Sequence, residues 1–570
     1  MSRFGATWLG NGRARFRLWA PGQRAVELEL NGGAMFPMAA RAGGWFEVEA
    51  DCAVGDTYFY KLGSGEKIPD PASRAQAEDV NGPSIVVDPG AFAWRQAAWR
   101  GRPWHETVLY ELHAGSFGGF AGVRAELGRL ADLGITAIEL MPVADFAGTR
   151  NWGYDGVLPY APDPAYGTPD ELRILIDEAH ERGLMMFLDV VYNHFGPEGN
   201  YLGLYAPQFF RDDIKTPWGA AIDFRRPEVR RFFIENAIHW LQDYRFDGLR
   251  FDAVHAIADE TFLDEMAREV RAAVGPDRHV HLVLENDDNV ADHLRHGFDA
   301  QWNDDAHHVL HVLLSGERDG YYSDYAARPA EQLARCLASG FAYQGDPSPY
   351  RKGAPRGTPS DDLAPTSFVW FLQNHDQIGN RPLGDRLASL ADPQALRAAT
   401  AMLLLAPGIP LLFMGEEEAT RTPFQFFTDF TGDLATAVRE GRRREFAGFK
   451  GFDGEDIPDP NAVETFERSR FKPKPEAEEF HRRLLGLRRT LIVPRLPGTR
   501  STGATAIGPA AVAAHWRMGD GAMMSLFVNL GQDVCATEMP QGRPIFATGG
   551  TMIPGTLPGF TTLVFLDPPA

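Results

Sequence analysis

Three carboxylates in this chain keep unusual company. Asp252 lies in DGLRFDAVHAI, with Arg250 two residues before it and His255 three after. Glu285 opens the run ENDDN, and Asp376 stands beside His375 in QNHDQIGNR. A strand sends alternate residues to the same face, so Arg250 and Asp252 share one side of GLRFDA. A buried carboxylate on its own tends to take a proton, and a nearby guanidinium reverses that. A structural ion pair would explain Arg-x-Asp alone. It does not explain a second and third carboxylate, each closing another apolar stretch. Two such groups flanking a glycosidic bond can divide its cleavage, one as proton donor and one as anion, if their surroundings push their pKa values apart. In that division Asp252, kept ionised by Arg250, is the nucleophile. Glu285, preceded by the apolar LVL, is the protonated acid.

The elements that must position these groups follow from periodicity. From Thr107 onward, short apolar strands alternate with amphipathic stretches of helix length. The strands are TVLYELH, ITAIELMP, LMMFLDVVYNH, FDGLRFDAV, VHLVLEN, FDAQWN, FVWFLQNHD and IPLLFMGEE. The helices include VRAELGRLADLG, TPDELRILIDEAHERG and PEVRRFFIENAIHWLQDY. Eight strands with helical crossovers predict an α/β fold with a central (β/α)8 TIM barrel. The polar residues collect at the C-terminal strand ends, at His113, Asp189, His194, Asp252, Glu285 and Asp376, where such barrels build active sites. Before the barrel, ARFRLWAP, AVELELNGG and GDTYFYKL alternate with period two; after it, AAVAAHWRM, AMMSLFVNLG and TTLVFLDP are strand-like and separated by Gly, Pro and Asp. The expected division is an N-terminal immunoglobulin-like β-sandwich over 1–95, a barrel with loop insertions over 96–488, and a C-terminal β domain over 489–570.

Bulk properties narrow the field. A chain of 570 residues is too long for one core. A formal charge of −21 argues against nucleic acid or an anionic membrane as partner. The three cysteines, Cys52, Cys336 and Cys535, form no CxxC pair and suit a reducing compartment. No signal-peptide pattern opens the chain, and the apolar run Ala399 to Met414 is short and broken by Pro407, Gly408 and Pro410. A cytoplasmic location is expected, with no membrane partner.

The motifs together resemble the α-amylase superfamily of glycoside hydrolases. DVVYNH, GLRFDAVH, the glutamate of LVLEN and QNHD occur in that family's order, on the third, fourth, fifth and seventh strands. The resemblance implies a retaining mechanism with Asp252 as nucleophile, Glu285 as acid/base and Asp376 as the carboxylate that holds sugar hydroxyls. It also implies that His194 and His375 hydrogen-bond the same sugar, that Arg250 partners the nucleophile, and that Tyr154 of NWGYD is an aromatic platform. FDAQWNDDAHHVLH, LSGERDGYY, YQGDPSPYR, LENDDN and FTDFTGDLATAVREGRRREF look more narrowly like the maltooligosyltrehalose trehalohydrolases. That family hydrolyses the α-1,4 bond beside a terminal trehalose unit. The implied substrate is maltooligosyltrehalose, and the implied functional partner is the enzyme that forms it. Trp218, Asp155, Tyr350 and Arg351 are candidate trehalose-side contacts, and His255 a further substrate contact.

No cofactor and no metal are expected. His307 and His311 have the i, i+4 spacing of helical ligands but read as a polar cleft rim. ENDDN lacks the glycine turn and distal glutamate of a calcium loop, and the position matching a calcium-binding asparagine of some amylases is Asn193. GEEE after the eighth strand suits a cleft lining or a solvated acidic loop equally. A glycogen branching or debranching enzyme is the alternative reading, separated by the contexts LENDDN and NHDQIGN. A non-catalytic glucan-binding scaffold would typically have lost a carboxylate, and all three are in place.

Overall fold

The computed structural model describes residues 3–259, 261–446, 457–474, 478–549 and 553–568. At its centre eight parallel strands close a barrel. They are β1 (Leu109–Leu112), β2 (Ala137–Leu140), β3 (Met185–Val190), β4 (Gly248–Phe251), β5 (His281–Leu284), β6 (Ala300–Trp302), β7 (Phe368–Trp370) and β8 (Ile409–Phe413). They pair in chain order and β8 returns to β1. Both faces of these strands are covered, so they read as apolar runs rather than alternating ones. Leu109, Ala137, Met185, Val283, Val369 and Ile409 fill the lower interior as one buried cluster. The polar residues take the upper layer.

Helices wrap the outside: α1 (Gly119–Leu133), α2 (Pro169–Glu181), α3 (Pro227–Gln242) and α4 (Phe262–Val274). On α1 the buried residues Phe120, Val123, Leu127 and Leu130 recur at helical spacing and face the barrel. Thr168 and Glu171 close a capping box at the start of α2, with Pro169 in its first turn. Between β5 and β6 there is only the short 3-10 turn Ala291–Arg295. Between β6 and β7 run α5 (Asp304–Ser315) and α6 (Pro329–Ser339), and α7 (Pro393–Leu405) leads into β8. An excursion after β3 forms the hairpin of Phe210–Thr216 and Gly219–Ile222, which carries Trp218 at its turn.

β-sheets flank the barrel on both sides in the chain. Before it lie two antiparallel sheets, one built on Arg13–Trp19 and Trp45–Asp51, the other on Val26–Leu30 and Thr57–Leu62. Ala14, Phe16 and Leu18 point inward while the arginines between them pair with Glu49 and Glu47 outside. After the barrel a five-stranded antiparallel sheet holds Arg500–Gly508, Ala511–Arg517, Met523–Asn529, Thr561–Asp567 and Phe546–Ala547. It packs on α6 and α7, and Thr562 donates to the Ala398 carbonyl at 2.7 Å.

Candidate active site

The ladder runs one residue past β4 and β5, and that extension sets the height of the site. Asp252 N donates to Val190 O and Glu285 N to Phe251 O, each at 3.0 Å. The backbone turns sharply at Ala253, whose φ of 41° is left-handed for a residue with a Cβ. The turn aims Ala253 N at Glu285 Oε2, 2.6 Å away, and Val254 N at the Glu285 carbonyl.

Arg250 ties the carboxylates together. Its Nη1 lies 2.7 Å from both Asp189 Oδ2 and Asp252 Oδ1, and its Nη2 lies 3.1 Å from Glu285 Oε2. Its guanidinium carbon sits 4.3 Å from the centre of the Trp302 ring. Burial raises the proton affinity of Asp252; Arg250 opposes this, and Glu285, Asp189 and Asp376 add to it. The simple expectation that Arg250 keeps Asp252 charged therefore needs amending. One cation serves three carboxylates, so in the free protein Asp252 is pulled toward protonation.

His375 provides the second positive charge. Burial works against that charge, but Glu111 and Asp376 outweigh it and raise His375 to about 9. Glu111 on β1 accepts from His375 Nδ1 and from its backbone N–H. The Tyr154 ring stacks on His375 with centroids 5.0 Å apart, and its hydroxyl donates to Asp189 Oδ2 at 2.5 Å. His194 hydrogen-bonds the Tyr154 carbonyl at 2.9 Å, and burial lowers its pKa to about 4, so it is neutral. Trp218, 46% exposed, stacks on His194 at 5.1 Å. Asp376 is the most open of the three carboxylates, its side chain 43% exposed, and it accepts from Asn380 at 3.0 Å.

A cavity of about 250 Å³ opens beside Glu285 and Asp376, with Tyr350 and Arg351 in its wall. Arg351 is held by Asp288 at 2.6 Å and Asp287 at 2.5 Å, and Tyr350 N donates to Asp324 at 2.7 Å. His255 lies at the rim, exposed, and accepts from Asp287 N at 3.4 Å. Asp155 is held by Asn151 at 2.8 Å in the same loop as Tyr154. The structure thus brings Arg250, Asp252, Glu285, Tyr154, His194 and His375 into one contact network, sets Asp376 and Trp218 against it, and leaves His255 and Asp155 at its margin.

Several of these roles were not assigned from sequence, although Asp189 stands there among the strand-end polar residues and NDDAHHVLH as a polar cleft rim. Asp189 is the hub shared by Arg250 and Tyr154, and Glu111 is the partner of His375. Asp304, His308, Tyr321 and Arg356 also line the cavity. NDDAHHVLH signalled a polar rim, but no spacing rule says which of its residues faces a cleft. His307 and His311 do not act as a pair: His307 Nδ1 bonds the Leu372 carbonyl at 2.7 Å and His311 Nε2 bonds Glu317 at 2.7 Å. GEEE neither lines the cleft nor lies in solvent, because Glu416 and Glu417 are buried. Among the described residues, Glu417, Glu418 and Glu478 are close enough to share a cation, but Arg129 already bridges Glu417 and Glu478 at 2.8 and 2.6 Å.

The comparisons agree with this geometry. Residues 87–204 match the α-amylase catalytic domain family, and 499–564 match a domain of unknown function, DUF3459. A malto-oligosyltrehalose trehalohydrolase of Deinococcus radiodurans is 44% identical over 86% of this chain and 82% of that protein. The chain belongs to the malto-oligosyltrehalose trehalohydrolase family. A second such trehalohydrolase, from Saccharolobus solfataricus, is 40% identical over 83% of this chain and 85% of its own length. The crystal structure of an alpha amylase candidate from Salmonella typhimurium superposes with a TM-score of 0.94 at 45% identity, covering 100% of both chains. A pullulanase of Paenibacillus barengoltzii, at 21% identity and a TM-score of 0.73, shares the fold.

Proposed function

We propose that this member of the trehalohydrolase family hydrolyses the α-1,4 glucosidic bond next to the terminal trehalose unit of maltooligosyltrehalose, releasing trehalose and a shortened maltooligosaccharide. The observation that carries the reading to this chain is the complete carboxylate cluster of Asp252, Glu285 and Asp376 at the C-terminal ends of β4, β5 and β7, joined through Arg250 and His375. A branching enzyme from Streptomyces avermitilis is 33% identical but over only 45% of this chain.

In this reading Asp252 attacks the anomeric carbon and forms a glycosyl ester. Glu285 gives its proton to the departing trehalose oxygen, then takes one from the water that hydrolyses the ester. The reaction needs Asp252 ionised and a proton on Glu285. Asp376, His194 and His375 hold hydroxyls of the distorted sugar, and Tyr154 supports its ring. The cavity beyond Glu285 takes the leaving trehalose, with Tyr350 and Arg351 in its wall; Trp218, Asp155 and His255 are the further candidate contacts. A site that hydrogen-bonds both rings of the 1,1-linked pair discriminates against a plain maltooligosaccharide, which leaves those groups unpaired.

The substrate must come from a reaction that builds the trehalose terminus, so a functional pairing with a maltooligosyltrehalose-forming enzyme belongs to the proposal. So does a cytoplasmic location, where the free cysteines Cys52, Cys336 and Cys535 stay reduced. Among the described residues no helix is long and apolar enough to cross a membrane.

The test is product analysis with maltooligosyltrehalose, a plain maltooligosaccharide of equal length and a branched glucan, each without added metal. Rapid release of free trehalose, with slow attack on the other two, is expected. Preferential cleavage or rearrangement of the plain or branched substrate overturns the trehalose assignment.

A further inference from the structure

Glu139 stands inside the barrel on β2, beneath the carboxylate cluster. Its neighbours in register are Glu111 on β1 and Phe187 on β3. It is 1% exposed, and neither of its carboxylate oxygens has a hydrogen-bond partner. The charged groups that face it are Glu111, Asp189 on β3 and Arg250 on β4. Around it other polar atoms are also buried and unpartnered: Asp189 Oδ1, Arg250 Nε and Trp302 Nε1. An ionised carboxylate without a single donor is costly in such a place, and two carboxylates beside it raise the cost. Arg250 relieves it only in part, since both its Nη atoms are engaged with Asp189, Asp252 and Glu285. Burial and the charges of Glu111 and Asp189 accordingly raise the proton affinity of Glu139 well above the usual carboxylate range.

We propose that Glu139 is a positioning residue of the hydrolytic site, a neutral carboxylic acid whose proton is shared with Asp189 through one internal water. The water accepts from the Glu139 hydroxyl and from Arg250 Nε and donates to Asp189 Oδ1, which gives each of these three groups a bond and the water the three that buried waters usually make. Asp189 is thereby fixed with its other oxygen toward Arg250 and Tyr154. Partial neutralisation of Asp189 leaves more of the Arg250 charge for Asp252.

The proposal assumes the roles given above for Asp252 and Glu285, and the experiment separates the two. Trehalose release by the unmodified protein tests those roles. The pH profiles of kcat and kcat/KM for Glu139→Gln and Glu139→Leu test Glu139. The amide of Glu139→Gln is neutral and can donate, so activity stays within about twofold and the profile does not move. Glu139→Leu removes the donor. kcat then falls about tenfold or more with little change in KM, and the acidic limb rises by about half a pH unit as Asp189 draws Arg250 away from Asp252. A packing role alone would lower stability without moving that limb. Infrared difference spectra of the unmodified protein against Glu139→Gln at neutral pH should show a carboxylic-acid C=O band that the variant lacks. A missing band, a downward shift of the limb in Glu139→Gln, or an unchanged profile in Glu139→Leu overturns the proposal. If Glu139→Leu does not fold, the glutamine variant and the infrared band decide it, and the band is readable even if the unmodified protein releases no trehalose.

Discussion

Arg250 and His375 are the two cations around which the candidate site is arranged, and their partners make their roles separable. Arg250 touches Asp189, Asp252 and Glu285, so removing either reacting carboxylate leaves the guanidinium engaged and the fold intact. Asp252→Asn and Glu285→Gln should therefore lower kcat about 10³-fold or more at nearly unchanged unfolding temperature. Near-normal turnover by either variant removes that residue from the mechanism. His375 keeps its proton up to about 9 because Glu111 and Asp376 outweigh its burial. In the proposed mechanism the charged imidazole donates to a sugar hydroxyl from Nε2 while Nδ1 stays on Glu111. In Glu111→Gln the carboxylate is gone, so the basic limb of kcat/KM should move down by about one pH unit or more. An unmoved limb would show that His375 is not the group that titrates there. At this scale much was legible from sequence. Arg-x-Asp on one strand face, and His next to Asp, are patterns that period two and charge pairing explain. Asp189 and Glu111 were not legible as partners, because their roles exist only where β1, β3, β4 and the end of β7 meet.

The strands themselves could be read because each is an apolar run bounded by turn residues and closed by a polar group, which is how a buried parallel strand must look. All eight expected segments contain a barrel strand. Two other elements escaped. Arg500–Gly508 is a strand of small residues and threonines with no apolar face, and it forms by pairing with Ala511–Arg517. The hairpin of Phe210–Thr216 and Gly219–Ile222 pairs the mostly polar FRDDIKT with the short GAAI, and neither shows a period-two apolar face. That hairpin decides what Trp218 can do. Its turn projects the indole into solvent on the far side of His194, with interplanar angle 12°, so one ring face is covered and the other is free to meet a sugar. Trp218→Ala should raise KM for maltooligosyltrehalose several-fold more than for a plain maltooligosaccharide, leaving kcat on either little changed. Equal effects on the two substrates would detach the hairpin from trehalose recognition.

Over the whole molecule, the formal charge of −21 treats every acidic residue as ionised, and the fold does not. Burial lifts Asp163 to about 7 and Glu416 to about 8. These groups bind a proton in the folded chain that they release on unfolding. Their contribution to stability is therefore complete below the ordinary carboxylate range and is lost as pH rises through the folded values. His375, raised to about 9, acts in the same direction above the ordinary histidine value. His113, His194 and His481, each lowered to about 4 by burial, act in the opposite direction: the unfolded chain binds their protons first, so stability rises with pH from about 4 to 6.5. The two sets place maximal stability near pH 6 to 7 and require a decline between 7 and 9. Glu416 separates this account from a general effect of net charge. It lies behind β8, outside the carboxylate cluster, where Phe413 N donates to one oxygen at 3.2 Å and the other is buried without a partner. Glutamine there keeps shape and neutrality but cannot lose a proton. In urea titrations, Glu416→Gln should show a steeper rise of unfolding free energy between pH 5 and 6 and a shallower fall between pH 7 and 8, by up to the about 1.4 kcal/mol per pH unit that one proton carries. The slope between 8 and 9, due to His375, should be unchanged. A variant that declines as steeply as the unmodified protein over pH 7 to 8 would mean that Glu416 is ionised in the fold, and that the buried acids behind the barrel do not set its pH dependence.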